Sequence, residues 1–223
     1  VGENGKVWSF EPEPRNFDNL AENIALNNYH NVTPVRKAVS DIAGCAKFYV
    51  SESERAESSL VPNLIRGKEG TIEVDRVILD DEIEGTVDFL KTDTEGNELA
   101  VLKGAKRLLS QDDVKIVVEV FPQSYEVAGY DMGNLCDVFN SYGFKYIYII
   151  DERKRRVTLM KSVNDWKEYS GNILCSKKEV VLEQVSIKEG NVALRAAVKR
   201  TEIAHDGRPK TLAGEALTLG VVT

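Results

Sequence analysis

Residues 114–120 read VKIVVEV, a short run in which every apolar position is β-branched. It is too brief for a core helix and too apolar for a strand with one wet face. It fits a strand covered on both sides, the situation of inner strands in a parallel sheet. Parallel neighbours require crossover connections, and the flanking sequence supplies them. Residues 6–10 (KVWSF) read as a first strand ended by Glu11-Pro12. Pro14 then opens a helix whose stripe is Phe17, Leu20, Ile24 and Ala25, stopped at Asn27-Asn28. Residues 31–39 return as a strand, with a hairpin-like pair around Gly44. Residues 71–79 and 86–93 are further strands, and residues 96–109 carry leucines near helical spacing. A helix follows over 133–141, then a hairpin of 144–150 with 157–160, and a final short strand at 171–175. This alternation predicts an α/β fold: a doubly wound, mostly parallel sheet with an antiparallel hairpin at its C-terminal end.

Between these elements, residues 51–70 are polar and rich in Ser, Glu and Arg, and read as a long loop with a helical turn. From residue 177 the character changes to Lys, Glu and small residues. The expected organisation is one domain over 1–176 and a charged extension over 177–223, with a helix near 179–199 and a weakly ordered end. The chain of 223 residues carries a formal charge of −7, which argues against a nucleic-acid partner that needs a positive face. No apolar run approaches the roughly 20 residues of a membrane span. Cys45, Cys136 and Cys175 share no metal spacing and read as thiols of a reducing, cytoplasmic compartment.

Acids cluster where such a sheet places ligands, at the carboxyl ends of strands. Glu11 closes the first strand, Asp93 and Glu95 close the strand at 86–93, and Glu119 sits near the end of VKIVVEV. An acid at a strand end can accept both hydroxyls of a ribose. Glu11 fits equally as a cap for the helix opened by Pro14. The segment Asp93-Thr94-Glu95-Gly96-Asn97-Glu98 could hold a cation, orient a hydroxyl or serve as a base. A plain strand-to-helix turn would use one such acid comfortably, but three less so.

The segments FEPEP (10–14), NIALN (23–27), AVSD (38–41), ILDDEI (78–83), DFLKTDTEGNE (88–98), VLKGA (101–105) and VVEVF (117–121) together resemble the FkbM-type methyltransferases. Order and spacing agree over residues 5–176. The resemblance implies a Rossmann-like fold, S-adenosylmethionine as cofactor, and methylation of a hydroxyl on a sugar or glycosylated natural product. By position, Glu11 with Pro12 would grip the cofactor ribose, and Ala38, Val39 and Asp41 would border the adenine. Asp93 would lie near the methionine end and the reacting centre, with Glu95 and Glu98 beside it. Lys91 and Glu119 also match the pattern. Such proteins open with a strand and a glycine loop of the form D-x-G-A-x-x-G. Val1-Gly2-Glu3-Asn4-Gly5 precedes a strand and is not that loop, so the sheet is expected to lack its first strand.

With no histidine placed as a base, Asp93, Glu95 and Glu119 are the candidate catalytic groups, Asp93 first, and their charge leaves room for a divalent cation. His30 and His205 read as surface residues. Residues 153–156 (RKRR) read as a solvated hairpin tip, and Trp8 and Trp166 as packing. Two other readings compete. A nicotinamide-dependent oxidoreductase also uses a ribose-binding acid, but the chain lacks a catalytic Tyr-x-x-x-Lys. The absent glycine loop makes a non-catalytic binding or interaction module the second competitor.

Overall fold

The structure, a computed structural model, describes residues 1–51, 58–64, 69–151, 156–160, 169–180, 201–203, 209–211 and 219–222. Elements run β1 (Val7–Phe10), α1 (Pro14–Leu26), β2 (Val32–Val35), β3 (Ala38–Val39), β4 (Gly44–Ser51), β5 (Ser58–Ser59), β6 (Glu69–Val77) and α2 (Leu79–Glu82). They continue as β7 (Phe89–Thr92), α3 (Glu98–Lys103), α4 (Lys106–Leu109), β8 (Lys115–Val120), α5 (Pro122–Ala128), α6 (Met132–Ser141) and β9 (Tyr146–Asp151). β10 (Arg156–Leu159), β11 (Gly171–Ser176), β12 (Thr201–Ile203), β13 (Pro209–Thr211) and β14 (Leu219–Val222) complete them.

The fold is mixed α/β. An eight-stranded sheet has the order β10-β9-β11-β8-β7-β14-β1-β2, and a four-stranded sheet the order β3-β6-β4-β5. From β2 to β8 the large sheet is parallel throughout. The antiparallel part exceeds the single hairpin expected: β11, read simply as a final short strand, lies between β8 and β9 and pairs antiparallel with both. β12 pairs only with β13 among the described residues. The backbone of β14, from the segment read as an extension, lies between β1 and β7. The helix expected over 179–199 falls almost wholly outside the described residues, as do Trp166 and the 152–155 tip.

The span 31–39 divides instead of forming one strand. β2 joins the large sheet, whereas β3 pairs with β6 in the small one. Over residues 71–76, β6 alternates: Thr71, Glu73 and Asp75 are exposed, whereas Ile72, Val74 and Arg76 are buried or half-buried, because a sheet with one wet face selects that period. β8, inside the large sheet, lacks this alternation: Ile116, Val118 and Val120 are fully buried, and Val117 nearly so.

Two family segments earn their place through packing. A Cβ at Gly104, in VLKGA, would lie 2.2 Å from the Ser40 carbonyl oxygen, so only glycine lets α3 close on the end of β3. In ILDDEI, the Asp80 carboxylate accepts the amides of Arg107 (2.6 Å) and Leu108 (3.1 Å) and so caps α4. Arg107 reaches back to the carbonyls of Gly85, Asp80 and Ile83. The span 96–109 is thereby two short helices broken at Gly104–Ala105, not one.

Candidate active site

Because β1, β7 and β8 run parallel, their carboxyl ends share one edge of the sheet. Glu11 follows β1, Asp93 follows β7, and Glu119 is the penultimate residue of β8. All three line a single cleft of about 520 Å³. Pro12, Ala38, Val39 and Glu95 line it too, while Asp41, Lys91 and Glu98 do not. Asp41 is exposed, on the turn after β3, and accepts a hydrogen bond from Ser40 Oγ at 3.3 Å.

Glu11 is not the helix cap. That role falls to Glu13, whose Oε2 accepts the Asn16 amide at 2.7 Å. Glu11 stands one step earlier, its Oε1 accepting the Glu13 amide at 2.8 Å. The capping account of its charge therefore belongs to its neighbour.

The turn after β7 is built by strained backbone and one buried acid. Glu95 (φ 48°) and Gly96 (φ 89°) both adopt left-handed conformations. Glu98, 2% exposed, holds them. Its Oε1 accepts the Thr94 amide (2.7 Å) and hydroxyl (3.0 Å), and its Oε2 accepts the Gly96 amide (3.1 Å) and the Tyr130 hydroxyl (3.3 Å). Burial pushes the Glu98 carboxyl above its usual range despite these donors. Glu98 is thus a clamp inside the turn and does not line the cleft.

The three remaining acids converge. One oxygen each from Asp93, Glu95 and Glu119 lie within 4.8 Å of one another. Lys91 Nζ sits 2.7 Å from Asp93 Oδ2. The hydrogen bond to Asp93, then burial, then the neighbouring carboxylates push Glu119 up to about 8. Burial acts to raise Asp93 as well, but the Glu119 hydrogen bond and the Lys91 ammonium outweigh it and hold that carboxyl below its ordinary value. At neutral pH the pair holds one proton, resident on Glu119.

The profile of the Methyltransferase FkbM domain matches residues 1–146 of this chain. The chain belongs to the FkbM methyltransferase family. No curated protein matches it. A crystal structure of methyltransferase FkbM from Methylobacillus flagellatus KT is similar at 19% identity and a TM-score of 0.49. The match covers 76% of this chain and 36% of that one, so this chain spans about a third of that protein's length.

The FkbM domain also uses residues that no local pattern announced. Phe48, Ser58 and Leu60, from the small sheet, line the cleft beside Asn16, Thr94 and Asn97. Ser59 Oγ donates to the Glu95 carbonyl at 2.6 Å and accepts the Val61 amide at 3.0 Å. Asn97 Nδ2 donates to the Val39 carbonyl at 2.8 Å. These bonds tie the turn after β7 to β5 and β3 of the small sheet. Ser58–Ser59 fell in the span read as loop, because two residues paired to β4 leave no periodic trace. His30 is exposed and lies outside the cleft, as its loop position indicated.

Proposed function

We propose that this chain is an S-adenosylmethionine-dependent O-methyltransferase acting on a hydroxyl of a sugar or glycosylated natural product, on a Rossmann-like doubly wound sheet. One observation carries the reading: in a chain of the FkbM family, Glu11, Asp93 and Glu119 meet around one cleft at the carboxyl ends of parallel strands. Its volume, about 520 Å³, lies within the range of nucleotide-sized pockets. Glu11 and Pro12 would hold the ribose, and the buried Ala38 and Val39 would wall the adenine. Residues 1–176 carry every residue of the proposed site, and β14, from the segment read as an extension, completes the same sheet between β1 and β7.

When bound, adenosylmethionine supplies a methyl group on a sulfonium. The acceptor hydroxyl is a poor nucleophile, and Asp93 is the group that would take its proton as the methyl carbon exchanges its bond to sulfur for one to this oxygen. Lys91 and the protonated Glu119 keep Asp93 ionised and aimed. Glu95 stands beside the pair on a turn made rigid by Glu98. Asp93, Glu95 and Glu119 could each give a hard cation one oxygen, and the shared proton and Lys91 offset two of the cluster's three negative charges. A divalent cation would have to displace that shared proton, and no step is assigned to one.

All three cysteines are free, which supports a cytoplasmic setting. Among the described residues no helix is long and apolar enough to cross a membrane. Calorimetry with S-adenosylhomocysteine, and NADH in parallel, tests the reading. Binding of the first that is lost in Glu11→Gln supports it. Binding of NADH alone would make the chain an oxidoreductase, and binding of neither an interaction module.

A further inference from the structure

A second cleft, also about 520 Å³, opens on the same edge of the sheet and shares with the first only Glu119. Its walls come from the end of β9 and the start of β11. Pairing of these strands begins at Ile149 with Ile173, so toward the edge they part, and the gap is the cavity. Tyr169 braces the gap: its hydroxyl lies 3.2 Å from the Ile150 carbonyl and 3.0 Å from that of Asn172. Gly171 makes this brace feasible, because its φ is 139° and a Cβ there would lie 2.8 Å from the Tyr169 oxygen. Asn172 stands directly across from Glu119 in the β8–β11 ladder, so their side chains share one face.

We propose that this second cleft binds the methyl acceptor as an uncharged sugar, presenting a ring hydroxyl to Asp93 and Glu119 at the junction with the first cleft. The inference rests on the methyltransferase reading above. Ligands in two clefts that share one wall residue meet at that residue, which is the placement a displacement between them requires. The lining chemistry selects the ligand. Ile150 and Tyr169 offer apolar surface to the C–H face of a sugar ring, and Asp151, Ser170 and Asn172 offer acceptors and donors to its hydroxyls. Among the described lining residues Asp151 and Glu119 are acids and none is Lys or Arg, so this part of the wall disfavours phosphorylated or carboxylated sugars.

The test uses the full chain, saturated with S-adenosylhomocysteine, titrated with methyl α-D-glucopyranoside, methyl α-L-rhamnopyranoside and glucose 6-phosphate, and followed by amide chemical shifts. At least one methyl glycoside should move the amides of residues 149–151 and 170–172 and bind more tightly than the phosphate. Asn172→Ala should weaken that glycoside about tenfold, the loss of one or two hydrogen bonds, with homocysteine-adduct affinity unchanged. Asp151→Asn, a rim change of the same size, should narrow the gap between neutral and phosphorylated sugars. The proposal falls if no glycoside binds, if shifts map elsewhere, or if the phosphate binds better. If glycosides bind in this cleft but S-adenosylhomocysteine does not bind the chain, the methyltransferase reading fails and the sugar site stands. If the cofactor product binds and the glycosides miss the cleft, only the present proposal fails.

Discussion

The carboxyl of Glu119, near the end of β8, is hydrogen-bonded to the carboxylate of Asp93, which ends the neighbouring parallel strand β7. Two acids from different crossovers thereby hold one proton between them. The Lys91 ammonium lies against the member that stays ionised.

That shared proton sets a pH dependence. Loss of the Glu119 proton near pH 8 removes a donor from Asp93 and places an anion beside it, making Asp93 more basic. The saturated rate is expected to rise through about pH 8, and Glu119→Gln should flatten that rise. Stability runs the other way. Between the ordinary value of 4.5 and about 8, the folded chain keeps a proton that the unfolded chain has released. Stability from this group therefore falls as pH rises across that window and levels above it. Asp93, held low, contributes the opposite slope only in more acidic solution. Rate profiles and thermal melts of wild type and Glu119→Gln against pH would show both effects; identical profiles would refute the assignment.

Asp93→Asn keeps size and one acceptor but cannot take a proton. Saturated methyl transfer should fall by about 10²–10⁴-fold while cofactor affinity changes little. Glu11→Gln should weaken cofactor binding and leave the saturated rate nearly intact, since ribose contacts are similar in ground and transition states. A change in apparent cofactor affinity alone for Asp93→Asn would make Asp93 a binding residue and move the base to Glu95 or Glu119.

Glu98→Gln replaces an oxygen that accepts from an amide or hydroxyl with a donor facing one. The turn should lose about 1–3 kcal/mol, read by urea unfolding. Glu95→Gln, whose side chain faces the cleft, should unfold near the wild-type midpoint. Equal midpoints for wild type and Glu98→Gln would show that Glu98 is no clamp.

Gly104→Ala drives a methyl into the Ser40 carbonyl, so α3 or β3 must shift. Overpacking of this kind costs about 1–3 kcal/mol. A lowered melting temperature is expected, accompanied by weaker cofactor binding because Ala38 and Val39 are displaced with β3. An unchanged melting temperature would show that the contact relaxes freely.

Chelation offers a separate check on the acidic cluster. With Lys91 and a shared proton offsetting two of its three charges, excess EDTA should leave methyl transfer within about twofold of its starting rate. Full loss on chelation, restored by magnesium, would place a cation among Asp93, Glu95 and Glu119.

Much of this arrangement was legible in the chain. The β-branched run at 114–120 announced a strand covered on both faces, Pro14 the start of α1, and alternation at 71–79 a strand with one wet face. Glu11, Asp93 and Glu119 stood out because each ends a strand, and a parallel sheet brings such ends to one edge. Helix α5 left a signal that the reading passed over, since Pro122 occupies the first helical position.

Tertiary structure decided the rest. Sequence periodicity reports which face of an element is buried, not which neighbour buries it. Nothing local distinguishes β3, which leaves the large sheet, from β2, which stays, or places β11 inside the sheet. The bonds from Ser59 to Glu95 and from Asn97 to Val39 join residues 36 and 58 positions apart, and neither end carries a mark of the other. Glu98 was read as part of the chemistry because charge and position alone cannot show where a carboxylate points. Its inward rotamer, closed on Thr94 and Gly96, made it a clamp, and the outward-facing Asp93, paired with Glu119, was left for the cleft.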